Sequence, residues 1–497
     1  MGANLAGLVR AAAAARPGHP ALVAGQRSLT WAQVDAAVDA AAAGMQALGL
    51  APGARVALAL PNGPEFVAAY FGVLRAGLVA VPVTAGATAP EVSHLAGDAG
   101  ARAVVFDRTT AAAVRGADLG ADVRRVVVGA PAPGETAFAA FSGTPREPDT
   151  APEDLAVLLY TAGTSGRPKG AMLSHRALLA NVEQVHDLAH PAVTPDDVVL
   201  VALPLSHLYA LNGTLAQVVR CAATAVLVER FDPVETLALV RDRGVTNVPG
   251  APGLFLAWST QPGLRAALAG VRLLVTGAAP MPAAVVEQVT TATGLPVFEG
   301  YGLTEAGPAV SSTLVEGRAK PGCVGKPLPG VEVRLLDEDG EETEEGDPGE
   351  VCVRGANLFS GYWPDGADGP DAQGWFPTGD VAYVDADGDL VLVDRRIELI
   401  LVSGFNVYPR EVEAAVATHP AVAEVAVVGV PHPATGEAVK AFVVPRAGAD
   451  LTPEDVLAHV APRLARFKRP TIVSVVESLP HSATGKVAKA RLREESS

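Results

Sequence analysis

Short apolar runs alternate with helical patterns along the first half of the chain, and this alternation limits the folds that the chain can adopt. Arg55–Leu60 is a predicted strand, Pro64–Ala76 a predicted helix that ends at Gly77, and Leu78–Val83 a second strand. This βαβ order implies a mainly parallel sheet covered by helices. Continuous apolar runs, which are typical of strands buried on both faces, recur at Val104–Phe106, Val123–Val128, Leu155–Tyr160, Val198–Ala202, Thr224–Val228 and Val271–Thr276.

The pattern changes after Gly322. Val331–Leu336 and Gly349–Arg354 are predicted antiparallel strands, and the nine acidic residues from 337 to 350 are predicted to form a solvated hairpin loop rather than a metal site. The segment Asp385–Asp389 is interpreted as a hairpin turn, because its glycine comes too early for the calcium loop of an EF-hand.

A compact α+β unit is predicted from about Arg395 onwards, with a helix over Pro409–Thr418 and another helix capped by Thr452. We therefore predict an α/β protein with two domains. The large N-terminal domain, residues 1–394, has mainly parallel helix-covered sheets plus a small β-barrel-like part. The small C-terminal domain, residues 395–497, is a mobile α+β unit.

The charge and the cysteine content exclude several classes of function. The formal net charge of −16 argues against a nucleic-acid binder, because a duplex repels a surface of this sign. The three cysteines are too few and too scattered for a disulfide framework or a zinc cluster. The chargeless stretch Val198–Val219 contains several polar residues, so a buried strand–loop–helix is predicted there instead of a membrane span. With no targeting segment recognised, we expect a cytoplasmic protein.

The glycine-rich segment Tyr160–Gly170 has the parts of a phosphate cradle. It follows an apolar strand, its glycines allow a close backbone approach, its hydroxyls can donate to oxyanions, and Lys169 supplies positive charge. The spacing is not that of a Walker A loop. A glycine-rich surface turn remains the alternative from these residues alone. The candidate phosphate-binding residues are Thr161, Gly163, Thr164, Ser165, Gly166 and Lys169.

This segment closely resembles the phosphate loop of the adenylate-forming superfamily, which includes acyl-CoA synthetases, firefly-type luciferases and adenylation domains of peptide synthetases. The resemblance covers essentially the whole chain. Further family motifs follow in the expected order, at Tyr301–Glu305, Trp375–Asp380, Asp394-Arg395 and Pro480–Lys486. Five matches in order make the resemblance specific.

The resemblance implies a role for each motif residue. Tyr301, followed by Gly302, would pack against adenine, and Thr304 would bond a phosphate oxygen. Glu305 would hold Mg²⁺, a cation that prefers carboxylate and phosphate oxygens. Asp380 would accept both ribose hydroxyls, and Arg395 would reach the ribose or a phosphate. The loop Gly277-Ala278-Ala279-Pro280 would line the adenine pocket through its backbone.

Lys486 is the strongest catalytic candidate by this resemblance. A carboxylate that attacks the α-phosphate of ATP brings two anions together, so a cation at the meeting point lowers a largely electrostatic barrier. The acyl-AMP formed is a mixed anhydride that a thiol can attack, which splits one hard step into two easier ones.

The segment Leu399–Glu413 looks very like medium- and long-chain fatty acyl-CoA synthetases. That likeness implies that Ser403, Gly404 and Phe405 would line a pantetheine tunnel after the small domain rotates, and that Lys440 lies near the phosphates of CoA. Ile397 departs from the family, which usually has Lys or Asp at this hinge position. We expect this residue to alter the kinetics more than the chemistry.

The resemblance also argues against some substrates. Malonyl-type synthetases carry Arg where this chain has Gly300, and amino-acid-activating domains use an Asp that is missing from Pro204–Asn212. His207 matches a histidine that gates the acyl pocket of acyl- and aryl-CoA synthetases, with a structural, partly buried histidine as the alternative. A neutral monocarboxylate, aliphatic or aromatic, is the expected substrate.

Three hypotheses about the function remain open. The first is an ATP-dependent, magnesium-dependent acyl-CoA ligase, with a fatty acid or a coumarate-like aryl acid as substrate. The second is an acyl-adenylate ligase that loads the phosphopantetheine of an acyl carrier protein. The third is a non-catalytic nucleotide- or acyl-binding protein, against which the intact Lys169, Glu305, Asp380 and Lys486 argue. Oligomeric state does not follow from the sequence.

Overall fold

The structure, a computed structural model, describes residues 2–162, 168–279, 281, 283–337, 339–344, 346–395, 400–403, 405–407, 409–480 and 489–494. The strands in the described residues are β1 (Pro20–Ala24), β2 (Arg27–Thr30), β3 (Arg55–Ala59), β4 (Val79–Pro82), β5 (Ala103–Asp107), β6 (Arg124–Val128), β7 (Glu135–Ala137), β8 (Leu155–Ala162), β9 (Pro168–Ser174), β10 (Val198–Val201), β11 (Thr224–Leu227), β12 (Asn247–Gly250), β13 (Leu273–Thr276), β14 (Val297–Gly302), β15 (Ala309–Ser312), β16 (Lys326–Pro327), β17 (Val331–Leu336), β18 (Gly349–Gly355), β19 (Phe376–Val384), β20 (Leu390–Arg395), β21 (Ile400–Val402), β22 (Phe405–Val407), β23 (Val422–His432), β24 (Gly436–Pro445) and β25 (Ile472–Val475).

The helices are α1 (Gly7–Ala15), α2 (Trp31–Ala47), α3 (Pro64–Arg75), α4 (Ala89–Asp98), α5 (Ala111–Gly116), α6 (His175–His186), α7 (Gln217–Arg220), α8 (Pro233–Asp242), α9 (Pro252–Ser259), α10 (Leu264–Ala267), α11 (Ala283–Thr293), α12 (Pro409–Ala417), α13 (Pro453–Val460) and α14 (Lys489–Glu494). A π-helix spans Tyr209–Ala216, and short 3₁₀ helices lie at Phe138–Ala140, Thr304–Ala306, Thr313–Val315 and Arg466–Lys468.

Two large sheets build the N-terminal part, as predicted. One has seven strands in the order β7-β6-β5-β3-β4-β8-β9, with parallel neighbours except for the antiparallel pair β8 and β9. The other has nine strands in the order β16-β15-β14-β13-β12-β10-β11-β1-β2 and is parallel from β14 to β1. Since ligands in open α/β sheets bind beyond the carboxyl ends of parallel strands, these sheets define where a site can form.

Local sequence signals fix several of the helix ends. The Thr30 side chain accepts from the backbone N–H of Gln33, and the Gln33 side chain accepts from the backbone N–H of Thr30, which forms a capping box at the start of α2. Thr452 caps α13 in the same way, with Asp455 as its partner. Buried aliphatic and aromatic residues, among them Trp31 and Phe71, then pack the helices on the sheets.

The stretch Val198–Val219 is folded as strand, loop and helix, as predicted, but its helix is of the π type over Tyr209–Ala216. Among the helices in the described part of the chain, none combines the length and the apolar character that a membrane span requires.

Antiparallel strands β17 to β20 form a separate four-stranded sheet, where the sequence predicts a small β-barrel-like part. Asp385, Asp387 and Asp389 lie in the hairpin between β19 and β20, and the Lys320 ammonium lies 2.5 to 3.2 Å from a carboxylate oxygen of each. An internal cation therefore lies among these carboxylates, in agreement with the interpretation as a turn.

The C-terminal part has its own sheet of five strands, in which β21, β23 and β25 all pair with β24. Valines of β23 and β24 pack with Val412 and Val416 of α12 and with Val456 and Val460 of α13 in a separate core. This core matches the small α+β unit that the sequence predicts.

Candidate active site

The hairpin of β8 and β9 carries the residues predicted to hold phosphate. Thr161 pairs with Lys169 across the hairpin. Lys169 Nζ lies 2.7 Å from Asp368 Oδ2 and 4.9 Å from the centre of the Tyr362 ring. Both Thr161 and Lys169 reach the wall of a cavity. The other candidates of this segment lie outside the described residues, namely Gly163, Thr164, Ser165 and Gly166.

The turn after β13 forms a second wall of this cavity. Gly277 and Ala278 follow the carboxyl end of β13, and both line the cavity. Ala278 has a φ of 69°, in the left-handed region that L-residues seldom adopt. Ala279 is half-buried, whereas Pro280 lies outside the described residues. The adenine loop predicted from the sequence therefore lies at the strand end where α/β sheets bind ligands.

Tyr301 and Asp380 meet at the cavity although they are 79 residues apart in sequence. The Tyr301 hydroxyl at the end of β14 donates to Asp380 Oδ2 at 2.7 Å. The next residue is Gly302, where a Cβ would lie 2.2 Å from the carbonyl oxygen of Pro308. Only glycine allows this approach, so the sequence Tyr-Gly is needed to bring the aromatic ring to the site.

Glu305 lies in the 3₁₀ helix Thr304–Ala306 and is 8% exposed. The Tyr362 hydroxyl donates to Glu305 Oε1 at 2.6 Å, and Thr161 Oγ1 lies 3.5 Å from the same atom. Thr304 lines the cavity beside them. Tyr362 was not predicted, because an aromatic residue next to Trp363 has no distinctive spacing and its contact is visible only in the fold.

The remaining nucleotide candidates differ in how far the structure describes them. Arg395 pairs with Asp380 in the register of β19 and β20, which brings its backbone next to the predicted ribose acceptor. Lys486 and the hinge residue Ile397 lie outside the described residues. The described chain resumes at Lys489, whose Nζ lies 2.8 Å from Glu413 Oε1 in the small domain.

The cavity has a volume of about 260 Å³. Besides these polar groups, it is lined by apolar side chains. Among the described residues that line it, the ionised side chains are Lys169, Glu305 and Asp380. The apolar walls are formed by Val185, Leu188, Ala192, Val193, Val199, Leu208, Pro249, Val275, Leu314 and Leu328. A neutral tail therefore fits this part of the cavity better than a second carboxylate does.

His207 lines this cavity and also a second one of about 400 Å³. Burial lowers the pKa of His207 to about 4, so its ring is neutral at physiological pH. Its Nδ1 accepts from the backbone N–H of Tyr209 at 3.3 Å, which assigns the proton of the neutral ring to Nε2. His207 is thus placed between the two cavities, as a gating residue would be.

The second cavity is formed by both parts of the chain. Tyr209 and Ala278 line it together with His207, and Ser403 and Phe405 line it from the small domain. Phe405 stacks on Phe467 at a ring distance of 4.3 Å. Gly404 lies outside the described residues. The second cavity therefore adjoins the acyl and nucleotide cavity at His207, Tyr209 and Ala278 and extends to the small domain.

Lys440, predicted near CoA phosphates, lies in β24 between Val428 of β23 and Ile472 of β25. Its Nζ lies 4.7 Å from the centre of the Phe442 ring. It is not among the residues that line either cavity, so its predicted contact with CoA stays a prediction.

Comparison with known proteins agrees with this geometry. Residues 9–363 match the family described as AMP-binding enzyme, and residues 411–486 match the AMP-binding enzyme C-terminal domain. A long-chain-fatty-acid–CoA ligase of Yersinia pestis is 37% identical over 90% of this chain and 86% of its own length. A feruloyl-CoA synthase of Amycolatopsis is also 37% identical, over 94% of both chains.

Among solved structures, an amide bond synthetase from Marinactinospora thermotolerans superposes with a TM-score of 0.89 at 31% identity, and 99% of each chain is covered. The fold prediction, with a large domain of parallel sheets and a small C-terminal domain, is therefore confirmed. Together, the match over most of the chain, the ordered motifs and the cavity that they surround identify this chain as a member of the AMP-binding enzyme family.

Proposed function

We propose that this protein is an acid–thiol ligase, which uses ATP to convert a neutral monocarboxylic acid to acyl-AMP and then transfers the acyl group to coenzyme A. The observation that carries the proposal is the junction of the two cavities at His207, Tyr209 and Ala278. One cavity offers polar groups for a nucleotide and apolar walls for an acyl tail. The other leads a thiol to the point where they meet.

In the first step an oxygen of the substrate carboxylate bonds to the α-phosphorus of ATP, and pyrophosphate leaves. Tyr301 and Asp380 hold the adenosine, while Lys169 and Thr161 face the phosphates. Lys486 supplies the cation that offsets the repulsion between carboxylate and phosphate.

The oxygen donors of Glu305 and Thr304 face the cavity and fit a magnesium ion, which prefers such ligands. When bound there, Mg²⁺ neutralises phosphate charge. Tyr362 orients the Glu305 carboxylate for this role through its hydrogen bond.

In the second step the thiol sulfur of CoA bonds to the acyl carbon, AMP leaves with the electron pair of the anhydride bond, and the thiol proton is released to solvent or to the departing phosphate. Ser403 and Phe405 guide the thiol along the second cavity, with Gly404 between them. Neutral His207 lies at the junction and excludes water from the anhydride.

The boundary between the two domains is proposed to lie between residues 394 and 395, which fall between the two family matches.

Fatty acids are the leading substrates, since the acyl part of the cavity is apolar and the side chains that form its walls carry no charge. Aryl acids are the second candidate, because the feruloyl-CoA synthase relative is as similar as the fatty-acid ligase. If the acceptor is a carrier protein instead of CoA, the enzyme carries out the same first step.

The test is AMP formation with ATP, magnesium and CoA over a panel of straight-chain, aryl and dicarboxylic acids. We expect CoA-dependent AMP release with a neutral monocarboxylate and little with dicarboxylates. Pyrophosphate release that saturates with a carrier protein but not with CoA would favour the carrier-loading alternative. No pyrophosphate release with any acid would contradict the proposal.

A further inference from the structure

The deep end of the acyl cavity lies at the amino ends of the parallel strands, opposite the nucleotide. Val199 of β10 pairs with Asn247 of β12, which pairs with Leu273 of β13. From this row to Gly277 at the nucleotide end, β13 advances four residues, or about 13 Å at the rise of a parallel strand. Val199 and Asn247 both line the cavity, so a tail that follows the sheet face ends at this row.

Residues 187–193, here called the floor segment, close this end. Leu188, Ala192 and Val193 line the cavity, while the residues between them, 189–191, are exposed. A single stretch of backbone therefore separates the acyl tail from solvent. The position of the floor segment determines how deep the cavity is.

Side chains of neighbouring elements hold the floor segment through its backbone carbonyls. Asn247 Nδ2 donates to the Ala192 carbonyl at 2.5 Å, and Cys221 Sγ contacts the Val193 carbonyl at 3.3 Å. Directly after the segment, buried Asp197 accepts from the backbone N–H of Thr194 at 2.7 Å and from Arg272.

Asn247 combines two properties in this arrangement: its side chain lines the cavity and also bonds the floor segment. It is 2% exposed and lies beside apolar Val199. A buried amide in apolar surroundings is costly unless it is hydrogen-bonded, so its bond to Ala192 keeps both groups in place.

We propose that Asn247 sets the longest acyl chain that the protein accepts, because its side chain fills the deep end of the cavity and ties the floor segment to β12. This inference rests on the proposed function and adds the residue that limits its substrate range. Shortening Asn247 frees the floor segment and lengthens the cavity, whereas a side chain of similar size keeps the deep end filled.

The experiment compares Asn247→Ala and Asn247→Leu with the wild type, and uses Asp187→Asn as a control on an exposed position of the floor segment. The measured quantity is kcat/KM for pyrophosphate release with straight-chain and ω-phenyl acids that lengthen by two carbons at a time. Thermal unfolding of each variant reports its folding, and Asn247→Ser replaces Asn247→Ala if the latter does not fold.

Asn247→Ala should shift the preferred substrate to a longer acid. For acids longer than the wild-type optimum, kcat/KM should be about tenfold higher than in the wild type, which is the lower end of the effect of one methylene in an apolar pocket. Asn247→Leu and Asp187→Asn should not move the optimum to longer acids. An unchanged optimal chain length in Asn247→Ala, or an equal loss of kcat/KM with every acid, overturns this inference but leaves the proposed function intact. A wild type that releases no pyrophosphate with any acid overturns the proposed function as well.

Discussion

Single hydrogen bonds between side chains decide how several candidate residues can act. Tyr362 is the clearest case, because its hydroxyl donates to Glu305 at 2.6 Å while its ring lies 4.9 Å from the Lys169 ammonium. It thereby links the predicted metal ligand to the predicted phosphate cation. Neither contact has a signature in the sequence, whereas Glu305 itself was predicted from its motif.

Replacing Tyr362 with Phe should raise the magnesium concentration needed for half-maximal pyrophosphate release by about tenfold, since a hydrogen bond to a charged group contributes about 1.5–3 kcal/mol. The ring and its packing against Phe359 are retained. Glu305→Ala should raise this magnesium concentration further. A magnesium titration of Tyr362→Phe that matches the wild type would contradict the positioning role.

His175 provides a residue-scale prediction about stability. Burial lowers the pKa of His175 from about 6.5 in an unfolded chain to about 4, and its Nδ1 accepts from the Leu5 N–H. The unfolded state therefore binds more protons between these pH values. The stability that neutral His175 provides is complete above pH 6.5 and is lost as the pH falls towards 4, by about 3 kcal/mol.

His175→Gln can keep an acceptor for Leu5 but does not titrate. The midpoint of thermal unfolding of the wild type should therefore fall more steeply than that of His175→Gln as the pH drops from 6.5 to 4. Parallel pH profiles would show that His175 does not carry this dependence.

At the scale of elements, sequence patterns predicted those features that depend only on neighbouring residues, such as helix caps and strand positions. Thr452 caps its helix as expected, and the strand predicted over Arg55–Leu60 spans Arg55–Ala59. The π-helix Tyr209–Ala216 was predicted only as helix. Within this helix, Asn212 Nδ2 donates to the Gly307 carbonyl at 2.6 Å, a contact distant in sequence that no local pattern predicts.

One element, α4, joins the two domains. Its Glu91 accepts from the Ala465 N–H at 3.1 Å and lies 3.5 Å from Lys468 Nζ, which also pairs with Glu411 at 2.7 Å. These groups are largely buried. Since Ser403 and Phe405 face the second cavity in this same arrangement, the contact should stabilise the orientation that transfers the acyl group.

Glu91→Gln keeps the cap of α4, because glutamine can also bond the Thr88 N–H. It should slow thiolysis of supplied acyl-AMP by about fivefold, the equivalent of about 1 kcal/mol, and leave acid-dependent pyrophosphate release unchanged. Glu65→Gln is the matched control, since Glu65 lies in the first turn of α3 and pairs with Arg27 on the same domain. Equal slowing of both half-reactions by Glu91→Gln would contradict this role.

At the scale of the whole molecule, the sequence predicted which residues assemble but not how the cavity is closed. Motif order predicted that Tyr301 and Asp380 serve one nucleotide, and the fold brings them within 2.7 Å. The walls of the acyl cavity come from many separate segments, which include α6, the strands β10, β12 and β13 and the floor segment. No motif marks Leu188 or Asn247. Such walls depend on tertiary packing, which single residues in a sequence do not reveal.

The central claim is that one chain first makes an acyl-AMP with the help of Lys486 and then delivers it to a thiol in another orientation of its small domain. The most direct measurement compares two half-reactions in Lys486→Ala: acid-dependent exchange of pyrophosphate into ATP, and release of AMP from supplied acyl-AMP by CoA. The account predicts that exchange falls by several orders of magnitude while thiolysis is largely retained. Equal loss of both activities, or exchange at the wild-type rate, would contradict it.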